Sequence, residues 1–168
     1  PVTIESTGPG EGHYGFIDEA GSPHLERLLQ QAPDTIVIGH GPGFWADIDG
    51  DLQPEGKSGY PYPNQPVKHE GAVQRLMRTY PNLYADISAG SGWYAVTRDH
   101  DYGVRFFNEF QDRLMYGTDT CFADQDARLV REIPDDLLHR RGELAHQGGD
   151  GKNLVSAGEH GVFEEINH

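Results

Sequence analysis

Four short runs of β-branched and apolar residues constrain the fold of this chain more than any other feature. They are PVTIE (1–5), TIVI (35–38), LYADI (83–87) and RLMY (113–116). A glycine-, histidine- or aspartate-rich segment follows each run. Helical spacing fills the gaps between them. Ser22 followed by Pro23 reads as an N-cap with proline at the first helical position. Leu25, Leu28 and Leu29 then recur at i, i+3 and i+4. Segment 71–80 carries Val73, Leu76 and Met77 on one face, and 99–110 carries Val104, Phe106, Phe107 and Phe110. Strand followed by helix, repeated, is the pattern of a parallel α/β sheet. No charged or amide residue interrupts TIVI, and this continuous, largely apolar run predicts a strand buried on both faces. About four βα units of this spacing make half of an eight-stranded (β/α)8 TIM barrel, or a small open sheet. Each polar cluster lies just past a strand's C-terminal end, where barrels place their chemistry.

Composition narrows the classes of function. With 13 Lys and Arg against 27 Asp and Glu, the net charge is −14, which repels a phosphate backbone and argues against nucleic-acid binding. Glycine and proline together number 33 (22 + 11), so long loops are expected, chiefly over 6–22 and 47–70. The 17 aromatics (2 Trp, 8 Tyr, 7 Phe) argue against disorder. Cys121 is the single cysteine, which rules out an intramolecular disulfide. No apolar stretch approaches the roughly 18 residues that a membrane span requires. A small-molecule substrate and a cytoplasmic location are the expectations. The chain opens on Pro1 and enters a strand at once, so it is expected to be a piece of a longer protein.

The strand ends hold the residues able to do chemistry. The first ends in Glu5, with His13 and Asp18 in the loop beyond; the second leads into His40; the third carries Asp86 and Ser88; the fourth leads into Asp119. Imidazole and carboxylate groups converging from separate strands can ligate a divalent metal, and a neighbouring carboxylate can take a proton from its water. Blander roles compete. Asp119 could cap a turn, Asp86 could be a structural hydrogen bonder, His13 could be a solvated loop residue, and Trp45, Trp93 and Tyr94 could pack in the core. His40 stands between two glycines after an apolar run, a costly place for an imidazole without a task. Neither GxxxxGK[ST] nor GxGxxG after a strand is present, so nucleotide binding is set aside.

Four segments together resemble a known family. PVTIE (1–5), IVIGHGPGFW (36–45), YPNLYADISAG (80–90) and QDRLMYGTD (111–119) follow the order and spacing of the second-half strands in amidohydrolase-related barrels. Those barrels are typified by aminocarboxymuconate-semialdehyde decarboxylase. The resemblance covers 1–123, leaving 124–168 as a weakly matching tail. It implies the C-terminal half of a barrel whose parent is a metal-dependent hydrolase or non-oxidative decarboxylase. His40 would match the sixth-strand histidine, and Asp119 the eighth-strand aspartate that ligates metal and shuttles protons. Glu5 stands where the family has a fifth-strand histidine, and the family's first-strand His-x-His pair has no counterpart here. The implied metal ligands are therefore Glu5, His40 and Asp119, with His13, Trp45 and Ser88 toward substrate. Zinc is the expected metal, with manganese or iron as alternatives. A catalytically inactive half-barrel, serving binding or homo-oligomeric assembly, is the competing expectation. A carbohydrate-binding barrel is a third, prompted by Trp45, Tyr60, Tyr62, Trp93 and Tyr94.

Overall fold

A computed structural model describes residues 1–7, 15–52 and 65–120 of the chain. Among the described residues, five strands form one sheet in the order β2-β1-β3-β4-β5, and each of these pairings is parallel. They are β1 (Val2–Thr7), β2 (Phe16–Ile17), β3 (Val37–His40), β4 (Leu83–Asp86) and β5 (Leu114–Met115). The helices are α1 (Pro23–Gln31), α2 (Pro42–Ala46), α3 (Ala72–Thr79), α4 (Ala89–Thr97) and α5 (His100–Phe110). This is the parallel α/β architecture that the strand–helix alternation predicts, and it is consistent with part of a TIM-like barrel. The four expected strands are present, and the two-residue β2 extends the sheet beyond β1.

The register divides the sheet into two unlike faces. Val2, Val37 and Leu83 lie side by side, as do Ile4, Gly39, Ala85 and Leu114. This face meets the helices. Val37, Leu83 and Ala85 are fully buried there against Leu25 and Leu29 of α1, Val73, Leu76 and Met77 of α3, and Phe106 and Phe110 of α5. Thr3, Ile38 and Tyr84 line the opposite face, which continues through Glu5 beside His40 and through Asp86 beside Met115. None of Thr3, Ile38, Tyr84 and Met115 is buried, because no described helix covers them. The expectation of a strand buried on both faces is corrected accordingly: Ile36 is 40% exposed and Ile38 is half-buried.

The helix ends also differ from expectation. Ser22 adopts left-handed geometry (φ 51°, ψ 52°) and its side chain caps nothing. Asp18 does that work instead. Its buried carboxylate accepts from the His24 N–H at 3.1 Å and the Leu25 N–H at 2.9 Å, satisfying donors that the first turn leaves without partners. The Ser22 hydroxyl turns to the buried Asp47 carboxylate. On α5 the buried face is Tyr102, Phe106 and Phe110, at i, i+4 and i+8, while Val104 and Phe107 pack at its margin. Two helices, α2 and α4, occupy segments whose glycines and prolines predict loops. At Gly92 a Cβ would lie 2.6 Å from the Ile87 backbone, so this glycine allows α4 to pack directly on the end of β4.

Candidate active site at the strand ends

Adjacent parallel strands bring their last residues together, and here that juxtaposition assembles the polar cluster. Glu5 and His40 are register partners on β1 and β3. Because Gly39 pairs with Ala85, the next positions, His40 and Asp86, sit side by side on the same face. His40 is buried, with 10% of its side chain exposed, and both ring nitrogens meet carboxylates. Nδ1 lies 3.2 Å from Asp86 Oδ2. Nε2 lies 3.1 Å from Glu5 Oε2 and 3.8 Å from Asp119 Oδ2.

The turn after β3 fits this crowding. Gly41 has φ 90°, and a Cβ there would run into the Glu5 carboxylate and approach Ser6 O to 2.7 Å. Only glycine gives both the backbone conformation and the space. Two non-glycine residues beside the cluster also have positive φ, Ala89 at 60° and Asp119 at 51°. Left-handed geometry is tolerated by aspartate and is strained for alanine, by about 1–2 kcal/mol. Such strain tends to gather where a site fixes the backbone.

The electrostatics follow from one imidazole among three carboxylates. The hydrogen bond that the ring donates to Asp86 chiefly holds the His40 pKa above its usual value, against the opposing effect of burial, with help from the Glu5, Asp86 and Asp119 charges. Burial raises the Glu5 carboxyl, and the negative charges of Asp119 and Asp86 add to this while His40 opposes it. Burial also acts to raise the Asp86 carboxyl. The hydrogen bonds from His40 and from the Ser88 N–H and hydroxyl outweigh it and hold Asp86 below its usual range.

The residues expected at the site fall into distinct places. Glu5, His40 and Asp119 are brought together. Ser88 stands behind them, buried, its hydroxyl donating to Asp86 Oδ2 at 2.8 Å and lying 3.3 Å from His40 Nδ1. Trp45 was expected toward substrate but is a core residue, 2% exposed. Its ring packs edge-on to Phe44 and Phe106, and its Nε1–H donates to the Asp86 carbonyl at 2.9 Å. Trp45 therefore props the end of β4 from the core side. His13, Tyr60, Tyr62, Cys121 and the 124–168 tail lie outside the described residues. Asp86 could only be read ambiguously from sequence. The signal that could have singled it out is its place at the end of the strand next to the one that ends in His40.

In chemical kind, this donor set suits a divalent cation. Three carboxylates against one imidazole leave surplus negative charge even when the imidazole is protonated. In assembly it is incomplete: among the described residues, no three His, Cys, Asp or Glu form a group that could hold a metal ion. What the described residues do provide is a buried imidazole whose two nitrogens face different acids, an arrangement suited to holding and passing a proton.

A cavity of about 440 Å³ lies elsewhere among the described residues. Asp47, Asp49, Glu70, Arg75 and Arg78 line part of it. Its arginines are engaged, Arg75 with Glu26 and Arg78 with Glu70 and Glu109, so we place the chemistry at the strand ends.

A family model described as Amidohydrolase matches residues 6–145. His40, Asp86, Ser88 and Asp119 lie inside that span, and Glu5 immediately precedes it. No curated protein and no solved structure matches the chain. No described helix is long and apolar enough to cross a membrane.

Proposed function

The chain belongs to the amidohydrolase family, and from that premise we propose that its strand-end cluster is part of the active site of a metal-dependent hydrolase related to aminocarboxymuconate-semialdehyde decarboxylase. The five strands would then correspond to the C-terminal half of the barrel. The substrate would be a small molecule, cut at a C–N or C–O bond or decarboxylated. The observation that carries this reading is that His40 Nε2 faces Glu5 and Asp119 across three strand ends. In such a site a bound divalent metal, zinc first, would supply an activated water. Glu5, His40 and Asp119 are the residues that would hold the metal, and the chain's own groups would handle the proton, with Asp119 placed to take it and His40 held in its protonated form by Glu5 and Asp86.

Calorimetric titration of the full chain with Zn²⁺ and Mn²⁺ tests this. Binding is expected, with at least a tenfold loss of affinity in His40→Ala and in Asp119→Ala. A chain that binds neither metal, or variants that bind as well as the parent, would remove the reading. The second reading, a non-catalytic module for binding or assembly, draws on the sheet face of Thr3, Ile38, Tyr84 and Met115, which no described helix covers. An unburied parallel sheet is unusual. That reading predicts metal-independent self-association in sedimentation runs, abolished by Met115→Lys.

A further inference from the structure

His40 has two nitrogens and two kinds of neighbour, and the hydrogen bonds around Nδ1 decide which nitrogen is available. Ser88 has one hydroxyl proton. At 2.8 Å from Asp86 Oδ2, that proton is committed to the carboxylate. Toward Nδ1, 3.3 Å away, the hydroxyl can then present only a lone pair. The other neighbour of Nδ1 is Asp86 Oδ2 at 3.2 Å, an acceptor when ionised. Nδ1 therefore faces two acceptors, at 3.2 and 3.3 Å, whereas Nε2 faces Glu5 Oε2 at 3.1 Å with Asp119 Oδ2 farther off at 3.8 Å. The hydrogen bond of the ring is with Asp86, and Glu5 and Asp119 act on it through charge. Asp86 is itself fixed: its Oδ1 accepts from the Ser88 N–H at 2.9 Å, and its carbonyl accepts from Trp45 Nε1–H at 2.9 Å. The carboxylate is thus aimed by its own strand, by the following turn and by the core.

We propose that Asp86 is a positioning residue for His40, fixing the neutral imidazole as the Nδ1–H tautomer and directing the Nε2 lone pair toward Glu5, Asp119 and whatever binds between them. Ser88 orients the carboxylate and is not a contact for substrate. The inference rests on the proposed function only in taking His40 as the reacting imidazole. It assigns Asp86 and Ser88 to aiming that residue, and it makes Nε2 the nitrogen that exchanges protons or meets a cation. Nitrogen tautomers at active sites are set in this way, by the bond that the other ring nitrogen makes.

Long-range ¹H–¹⁵N correlation spectra of the full chain, labelled with ¹⁵N-histidine, read the tautomer directly, with His40 assigned by its loss in His40→Gln. At alkaline pH the parent is expected to show the Nδ1–H pattern. In Asp86→Ala the Ser88 hydroxyl is released to donate to Nδ1, and Glu5 remains to accept from Nε2–H, so the pattern should invert. Ser88→Ala keeps the carboxylate and should keep the parent pattern. An Nε2–H parent would overturn the proposal without any variant having to fold. An unchanged tautomer in Asp86→Ala would overturn it too, as would inversion in Ser88→Ala. Neither metal nor substrate enters the measurement, so a chain that binds no metal would leave this result standing, and the reverse also holds.

Discussion

At the scale of single residues, His40 ties the site to the stability of the fold. Its raised pKa means that the folded chain holds the His40 proton more tightly than the unfolded chain does. That stabilisation is complete below the ordinary value of 6.5 and is lost as pH rises through the folded value. Glu5, also raised, adds a penalty as it ionises above its ordinary 4.5. Asp86, lowered, stabilises above its ordinary 3.8 and loses that contribution as pH falls through its folded value. Urea midpoints measured with a chelator present should therefore decline from pH 6.5 upward, and His40→Gln should flatten this alkaline limb. Parallel slopes in parent and variant would refute the assignment. Gly41 gives a second residue-scale prediction. Gly41→Ala combines a strained φ with a clash against Glu5, and should cost about 1–3 kcal/mol in urea unfolding. A change within about 0.5 kcal/mol, the range of an ordinary surface substitution, would mean that the turn has room the geometry denies.

At the scale of elements, α1 shows how a cap can come from outside the expected position. Asp18 lies four residues before Ser22, yet it accepts from two N–H groups of the first turn. Asp18→Ala should destabilise the chain by about 1–2 kcal/mol, as the loss of an N-cap does. Ser22→Ala should act through Asp47, whose carboxylate also accepts from the Gly21 N–H at 3.2 Å. In the double variant Asp18→Ala, Asp47→Ala, the cost of losing Asp18 should be preserved. Equal destabilisation by Asp18→Ala and the conservative Asp18→Asn would show that charge, and not acceptor geometry, is what the helix uses. The Arg98–Asp49 pair, at 3.2 Å and largely buried, joins the end of α4 to the segment after α2. Removing one member of such a pair leaves the other buried with less compensation, so Asp49→Ala is expected to cost about 3 kcal/mol.

At the scale of the whole molecule, the core and the charge pull in opposite directions. One apolar cluster runs from α1 through β3 and β4 to α5, with Phe44, Leu76, Met77 and Phe106 fully buried within it. Phe106→Ala should cost about 3–5 kcal/mol because the cavity cannot collapse between Trp45, Tyr102 and Phe110. Against this stands a net charge of −14, which repels itself in the compact state. Raising sodium chloride from low ionic strength to about 0.5 M screens that repulsion and should raise the melting temperature. A melting temperature that falls with salt would show that the ion pairs Arg78–Glu70, Arg78–Glu109 and Arg75–Glu26 outweigh the surplus charge.

The sequence by itself determined the alternation of strands and helices, the parallel sheet and the gathering of polar residues at strand ends. Local periodicity and the motifs GHGPGF and YGTD suffice for that. His40, Glu5 and Asp119 were legible because each stands at or just past the end of an apolar run. Only the tertiary structure decided the rest. It placed Asp86 and Ser88 on His40 Nδ1, because register between neighbouring strands is a long-range property that no single run encodes. It moved Trp45 into the core, since an indole serves equally well in packing or at a ligand until its neighbours are known. It moved the cap of α1 from Ser22 to Asp18, where a returning loop delivers a carboxylate that spacing alone cannot place. It revealed α2 and α4 within glycine-rich segments, where close backbone packing overrides weak helical propensity. The strand ends were written locally, but what each of them touches was settled by the order in which the strands lie side by side.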